Sequence, residues 1–481
     1  MARITLDTFS EQRSSVPGDS LKHPNYLIQG AYPYYTRNQL GVLEVQPAPL
    51  AASPTLVQVG GTLDGNVVSL LASIDPNVFG FAITDTTRVY KINTNSTLTD
   101  FGYPYGSSSA NAGGQLAIYN NNILAVNSSS GVLERTIVAG GDVWHSFGSI
   151  QSAAGIHYMT PFLDYCALVD GDATFGFGHL IRKITSAWTL TIGIDLGANW
   201  GVIGRLMNYN NKYLVIPGAY RGGGSVGSTY LFIWDGISAA YSYVVAVPGR
   251  YIDGKTINGI PYIIAANSNS SYSIYKMTGI QLKWVADFNY NSVTASAPVC
   301  GFDSGIAVLT SSGVLVVEDD AKHPSQYFLD SATYGFNSAG DSMGSDNTFF
   351  VGTGTKIYSF SRTGNPYSNI TYKSHFLRGE KTTGQINWVR VYYDTAPINT
   401  GDKISTTLKV VDENGVTGGL ANGTYALNDI IPGATDSPKY TQLDGKGVSF
   451  DQVQVNLTTT TAGGSTWFPL IRSVVIDYDP L

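Results

Sequence analysis

IYNNNILAVNSSSGVLERTI, residues 118–137, opens with a polar turn at Asn120, Asn121 and Asn122 and runs into a short apolar stretch, Ile123–Val126. A Ser/Gly turn at Ser128–Gly131 follows, and then a second apolar stretch, Val132–Ile137, interrupted by charge. Two short strands around a turn of small residues read as a β-hairpin. The same text recurs along the chain. IDPNVFGFAITDTTRVYKI begins at Ile74, FLDYCALVDGD at Phe162, MNYNNKYLVIPG at Met207 and INGIPYIIAAN at Ile257. GFDSGIAVLTSSGVLVVED begins at Gly301, and GSDNTFFVGTGTKIYSFS at Gly344.

The first strong strand residues after the leading turns are Val78, Ile123, Tyr165, Tyr213, Tyr262, Ile306 and Phe349, with gaps of 45, 42, 48, 49, 44 and 43 residues. Short strands repeating at this period predict a β-propeller with one four-stranded blade per repeat, and seven copies predict seven blades. No blade buries both faces alone, so the ring has to close. Strand-like text at Leu40–Val45 and Thr55–Val59 precedes the first repeat. One of these strands is expected to complete the last blade, since a circular array must hide its free edges. Less regular strands follow the hairpins at Val143–Phe147, Trp188–Ile192, Tyr241–Val247 and Gln281–Val285. They fit outer strands of one blade or inner strands of the next.

The period ends near Phe376, and longer alternating strands take over at Asn387–Tyr393, Lys403–Val411, Ser449–Leu457 and Leu470–Tyr478. Ile404, Thr406, Leu408 and Val410 fall on one face of the second, with Ser405, Thr407 and Lys409 on the other. Val453, Val455 and Leu457 likewise oppose Gln452, Gln454 and Asn456. One apolar and one polar face per strand predicts an antiparallel β-sandwich with its own core. The class is therefore all-β: an irregular N-terminal arm over 1–38, a propeller over 39–376 and a C-terminal β-sandwich over 377–481, the boundary lying between Ser374 and Lys381. The arm shows no alternation, and is expected to be flexible or to order only against a partner.

Composition narrows the function. Charged residues make up only 13% of the chain, while Gly (54) and Tyr (31) are abundant, the balance of short strands and tight turns. A net charge of −7 argues against non-specific nucleic-acid binding, which needs clustered Lys and Arg, and suits a surface that DNA slides past. No apolar run has signal-peptide or membrane-span length, so the chain is expected to fold in the cytosol. Cys166 and Cys300 then read as buried free thiols. The N-x-S/T triplets at Asn95, Asn127, Asn269, Asn369, Asn422 and Asn456 read as turn chemistry in a chain without a secretion signal.

Candidate chemistry is sparse. Asp75, Asp164, Asp303 and Asp346 occupy a common position in four repeats and could form a ring of acids for glycoside hydrolysis. The turn reading is preferred, because the other three repeats carry Asn or Gly near this point, which caps a turn but cannot catalyse. Asp170-Gly171-Asp172 is a fragment of a calcium loop without its remaining ligands. The histidines (His23, His145, His157, His179, His323, His375) are scattered, which argues against zinc, and His145 beside Trp144 reads as a packed strand residue. Gly-rich stretches such as Gly222-Gly223-Gly224 lack the following Lys-Ser/Thr of a phosphate loop. Of the tryptophans Trp144, Trp188, Trp200, Trp234, Trp284, Trp388 and Trp467, most are expected to be buried where blades meet rather than stacked on sugars. No catalytic, cofactor or metal residue is assigned.

Three features together carry a resemblance. They are the tyrosine-rich lead-in Ala31-Tyr32-Pro33-Tyr34-Tyr35-Thr36-Arg37 before Gly41-Val42-Leu43, the seven repeats, and the tail strands, with Gly384–Asp394 opening and Arg472–Tyr478 closing the last domain. In layout the chain resembles virion proteins of tailed bacteriophages, most of all the tail nozzle or packaged DNA stabilisation proteins. The Arg-Pro-Gly usual near the lead-in of that family is missing here. The resemblance implies a non-enzymatic structural part made in the bacterial host cytoplasm and built into the virion tail. It implies self-association into a ring, a hexamer by expectation, contact with neighbouring tail or adaptor proteins, and a channel that lets DNA pass without sequence-specific binding or membrane insertion. The alternative is a carbohydrate-active or carbohydrate-binding propeller: a glycosidase, lectin or receptor-binding protein.

Overall fold

A computed structural model of the chain describes residues 2–6, 27–29, 31–33, 50–52, 56–103, 115–126, 131–138, 143–150, 157–171, 178–220, 228–267, 271–289, 299–302, 305–310, 313–318 and 325–330. Towards the C-terminus it describes 340–344, 348–361, 369–374, 377–378, 384–393, 396–411, 424–433, 448–463, 465–467 and 469–480. Every regular element among them is a β-strand, so the protein is all-β. The chain divides into two compact units, one of Leu56–Gly313 with Ser331–Phe360, the other of Met1–Thr55, Val314–Asp330 and Ser361–Leu481.

The first unit holds the repeats. Val67–Ala72, Val78–Thr84, Val89–Asn93 and Leu98–Asp100 form one antiparallel four-stranded sheet in chain order. The next is Ala117–Tyr119, Asn122–Val126, Val132–Ile137 and His145–Ser149. Met159–Phe162, Tyr165–Asp170, Leu180–Ile184 and Leu190–Asp195 build the third. The fourth and fifth repeats make sheets around Tyr213–Tyr220 and Ile260–Ala266, and the sixth pairs Val299–Phe302 with Gly305–Thr310. Gly340–Gly344, Thr348–Thr353 and Lys356–Ser361 form the seventh, whose fourth strand is Val57–Gln58. Gln58 pairs with Tyr358 and Val57 with Ser359, so the strand text that precedes the first repeat completes the last one. Leu40–Val45, the other candidate, lies outside the described residues.

The burial of each strand explains the sequence pattern. Sheets stacked face to face cover their second strands on both sides, and such strands must be apolar throughout. Asn122–Val126 and Tyr165–Asp170 are accordingly buried at every position, whereas the fourth strand His145–Ser149 is exposed or half-buried at every position. Side-chain alternation then sends neighbours into different interfaces. Leu214, Ile216, Phe232 and Trp234 pack toward the third sheet, while Val215, Leu231 and Ile233 pack toward the fifth. Met343, Phe350 and Ile357 of the seventh repeat share a cluster with Val67, Leu70 and Ala82 of the first. The first strands sit side by side, Gly340–Gly344 beside Val67–Ala72 among them.

Tight turns join the first and second strands. Asn120 and Asn121, and Asn258 with Gly259, have positive φ at both central positions, the geometry that matches strand twist and that Asn and Gly tolerate best. The third repeat departs from this: Leu163 holds φ of 53° with its side chain exposed.

The second unit contains Lys403–Val411 paired with Gln452–Thr460, and Gly384–Tyr393 paired with Leu470–Pro480. Ile404, Leu408, Val410, Val453, Val455 and Leu457 of one sheet share a single apolar core with Val389, Val391, Ile471, Val474, Ile476 and Tyr478 of the other. Two expectations need correction. Gln454, assigned to a polar outer face, is buried, because Ser374 lies over it and accepts a hydrogen bond from Gln454 Nε2 at 2.7 Å. Residues 1–38, read as an arm without strands, supply Ala2–Leu6, Leu27–Gln29 and Ala31–Pro33. Ala2–Leu6 pairs with Leu470–Pro480, from Ala2 opposite Tyr478 to Leu6 opposite Val474.

Candidate functional site

The acids that the repeat aligned are turn residues where they are described. Asp75 Oδ1 accepts from Asn77 N at 2.9 Å, and Asp164 sits in the turn after Phe162, its carbonyl accepting from the Tyr119 hydroxyl. Asp303 and Asp346 lie outside the described residues. Asp170 is fully buried and pairs with Arg182 Nε at 2.6 Å, while Asp172 is not described. Among the described residues no group of three or more His, Cys, Asp or Glu could hold a metal ion.

His145 is exposed on an outer strand rather than packed. His157 is buried against the Val169 carbonyl at 3.2 Å, and burial lowers its pKa. His179 pairs with Asp195 at 2.8 Å; the other three histidines are not described. Cys166 is a buried free thiol whose pKa burial pushes up, and the Cys300 side chain is not described. Trp234 and Trp467 are wholly buried, and Trp284, partly exposed, donates Nε1 to Asp287 at 2.8 Å.

The group that sequence reading missed lies on the first strands of the repeats. Arg205 stands before Met207–Tyr209, Asp253 and Lys255 lie on Arg250–Ile257, and Asp341 on Gly340–Gly344. Arg205 grips Asp341 with both terminal nitrogens at 2.9 Å, and its Nε meets Asp253 Oδ1 at 3.3 Å. Asp341 also accepts from the amides of Leu70 at 2.7 Å and Ser342 at 2.8 Å, with Lys255 Nζ at 3.5 Å. Lys255 donates to the Ser342 carbonyl as well. A planar guanidinium matches a carboxylate in this two-pronged way and stays charged when buried.

The electrostatics of the two acids differ. Burial would raise the Asp341 carboxyl, but Arg205, Lys255 and the Leu70 amide together hold it below the usual range. Asp253 has fewer donors, so burial wins and its pKa is raised despite Arg205. Burial, reinforced by Asp253, pushes the Tyr158 phenol up to about 12 and Tyr251 well above its ordinary value. Two carboxylates face two cations, so the cluster carries its own counter-charges. It ties together strands of the first, fourth, fifth and seventh repeats, far apart in sequence.

A signal for it existed. Leu70, Tyr158, Arg205, Asp253 and Asp341 stand 8, 7, 8, 9 and 8 positions before Val78, Tyr165, Tyr213, Tyr262 and Phe349. They occupy one column of the repeat. Aligning the repeats on the turn acids favoured a column of capping residues over this one.

No known protein family matches the chain, and no curated protein matches it. Solved structures do show likeness at low identity. The hydrazine synthase of Kuenenia stuttgartiensis is 8% identical, with a TM-score of 0.47, over 64% of this chain and 98% of that one. The β-propeller domain of Cps50 (Swd1) from Myceliophteria thermophila is 11% identical, with a TM-score of 0.46, over 65% and 100%. YCF48 from Cyanidioschyzon merolae is 11% identical, with a TM-score of 0.44, over 64% and 100%.

Proposed function

We propose that the repeats form a seven-bladed β-propeller and the remaining strands a C-terminal β-sandwich, and that the protein is a non-enzymatic structural component of a tailed-bacteriophage virion. Its place is the tail, as a nozzle or tail-tip ring that forms or gates the DNA exit channel. The observation that supports a structural role is the Arg205–Asp253–Asp341–Lys255 cluster. Propeller enzymes need reactive groups on the innermost strands, and here Asp253 and Asp341 of those strands are paired with Arg205 and Lys255. A general acid or base must reach a substrate proton; Asp341 already accepts from two amides and a guanidinium. The virion assignment rests on the layout of lead-in, repeats and tail strands, and the acidic balance of −7 suits a surface past which DNA slides. Partners are other copies in a ring and neighbouring tail or adaptor proteins.

The test is the mass of the full-length chain at rising concentration, with imaging of the particles and a glycan-binding and hydrolysis screen on the same sample. Closed cyclic rings of about six copies without glycan turnover are the expected result. A monomer at every concentration that binds or cleaves a glycan would overturn the reading in favour of a carbohydrate-active propeller.

A further inference from the structure

The strand Leu470–Pro480 carries Ser473-Val474-Val475-Ile476-Asp477-Tyr478, of which the last five are buried. One of its edges is satisfied by Gly384–Tyr393. The other is satisfied over Val474–Tyr478 by Ala2–Leu6. An apolar edge of this kind must be covered, because its unpaired amides and carbonyls would otherwise recruit another strand. Ala2–Leu6 covers it with five residue pairs, with Ile4 packed against the core and with Arg3 Nε on Asp477 at 2.8 Å. Arg3 and Thr5 remain exposed.

The next paired strand of the same unit, Leu27–Gln29, is anchored against Thr371–Lys373. Twenty residues, 7–26, with Pro17-Gly18 among them, separate the two strands. Fully extended, a segment of that length spans up to about 70 Å. A five-residue edge strand twenty residues from the next paired strand makes the same contacts whether it covers its own chain or the equivalent edge of another copy. Exchanging an identical element in this way is a low-cost route to association.

We infer that Ala2–Leu6 is an exchangeable strand: in the assembled protein it leaves its own Leu470–Pro480 and covers that of the next copy. The exchange is head-to-tail, so it closes a ring if the rotation between copies allows and needs no further interface to begin. This rests on the ring assembly proposed above.

The experiment uses full-length chains carrying Thr5→Cys or Val475→Cys, which face one another in the register. The two single variants are co-produced, their particle mass is measured, and they are oxidised mildly beside the unmodified protein. Exchange predicts covalent dimers at about one in four interfaces of a random mixture of a cyclic assembly, and a ladder of linked chains from the double variant. A photo-crosslinking side chain at the exposed Thr5, in light chains mixed with heavy-isotope chains, reads the same contact without altering Val475. Heavy–light links support the exchange. Rings whose links are all within one chain overturn it and leave the ring standing. Linked closed dimers support the exchange and remove the ring. Monomers throughout overturn both.

Discussion

The two units bury their apolar residues in opposite ways. In the repeats, the described core is split into separate clusters, each shared by two successive sheets: Phe81, Ile83, Ile123 and Ala125 in one, Leu124, Leu133, Cys166 and Leu168 in the next. In the other unit one cluster runs from Ile370 to Tyr478 and joins both sheets. Damage in the repeats should therefore stay between two sheets, and damage in the second unit should spread through all of it. The exception is the charged cluster around Arg205, which joins the fourth and fifth repeats to the first and seventh.

That exception gives the largest expected effect. Arg205→Met leaves Asp341 and Asp253 buried without their shared cation and should destabilise by about 3–5 kcal/mol in denaturant unfolding. A loss below about 1 kcal/mol would mean that the cluster is wet and that the repeats hold together by apolar contact alone. Ile123→Ala and Ile476→Ala both remove a fully buried side chain and should each cost about 2–5 kcal/mol. They separate in hydrogen exchange. The first should open amides of the first two sheets only, the second those of both sheets of its unit. Equal spreading from the two would break the contrast.

Acid sharpens the same point. Asp341 has a lowered folded pKa, so its contribution is present above the ordinary value of 3.8 and is lost as pH falls below it. Asp253 has a raised pKa, so its contribution has the opposite sign: present below 3.8 and lost as pH rises through its folded value. Asp341→Asn should therefore remove part of the stability loss seen below pH 3.8, measured by unfolding at stepped pH. An unchanged acid profile would place the acid sensitivity elsewhere. Gln454→Ala removes the hydrogen bond that Gln454 Nε2 donates to the Ser374 carbonyl and should cost about 1 kcal/mol, whereas an exposed glutamine would cost almost nothing. Leu163→Asn is the smallest change and has the opposite sign. Asn tolerates φ of 53° better than Leu, so a gain of up to about 1 kcal/mol is expected from thermal unfolding.

Much of this was readable along the chain, and the reasons are local. Val78, Ile123, Tyr165, Tyr213, Tyr262, Ile306 and Phe349 all fall within the second strand of their repeat, because a strand covered on both faces must be apolar along its length. Ile404, Thr406, Leu408 and Val410 are buried as their alternation required. Asp75 and Asp164 proved to be turn residues, and the Asp75 carboxylate, which accepts a backbone amide two residues on, needs no tertiary partner for that. Gln454 was misplaced because alternation reports which face a residue is on, while Ser374, eighty positions away, decides whether that face is covered.

By itself the sequence determined the strands, their turns and their period of 42–49 residues, since each follows from side-chain size, branching and the φ that Asn or Gly allows. Tertiary structure decided which of the two early strand candidates would pair with Lys356–Ser361, that Ala2–Leu6 would cover Leu470–Pro480, and that Arg205 would meet Asp253 and Asp341. Those contacts join residues from 48 positions apart (Arg205 and Asp253) to 476 (Ala2 and Tyr478). The order of the chain carries no record of such distances until the sheets have stacked and brought the strands together.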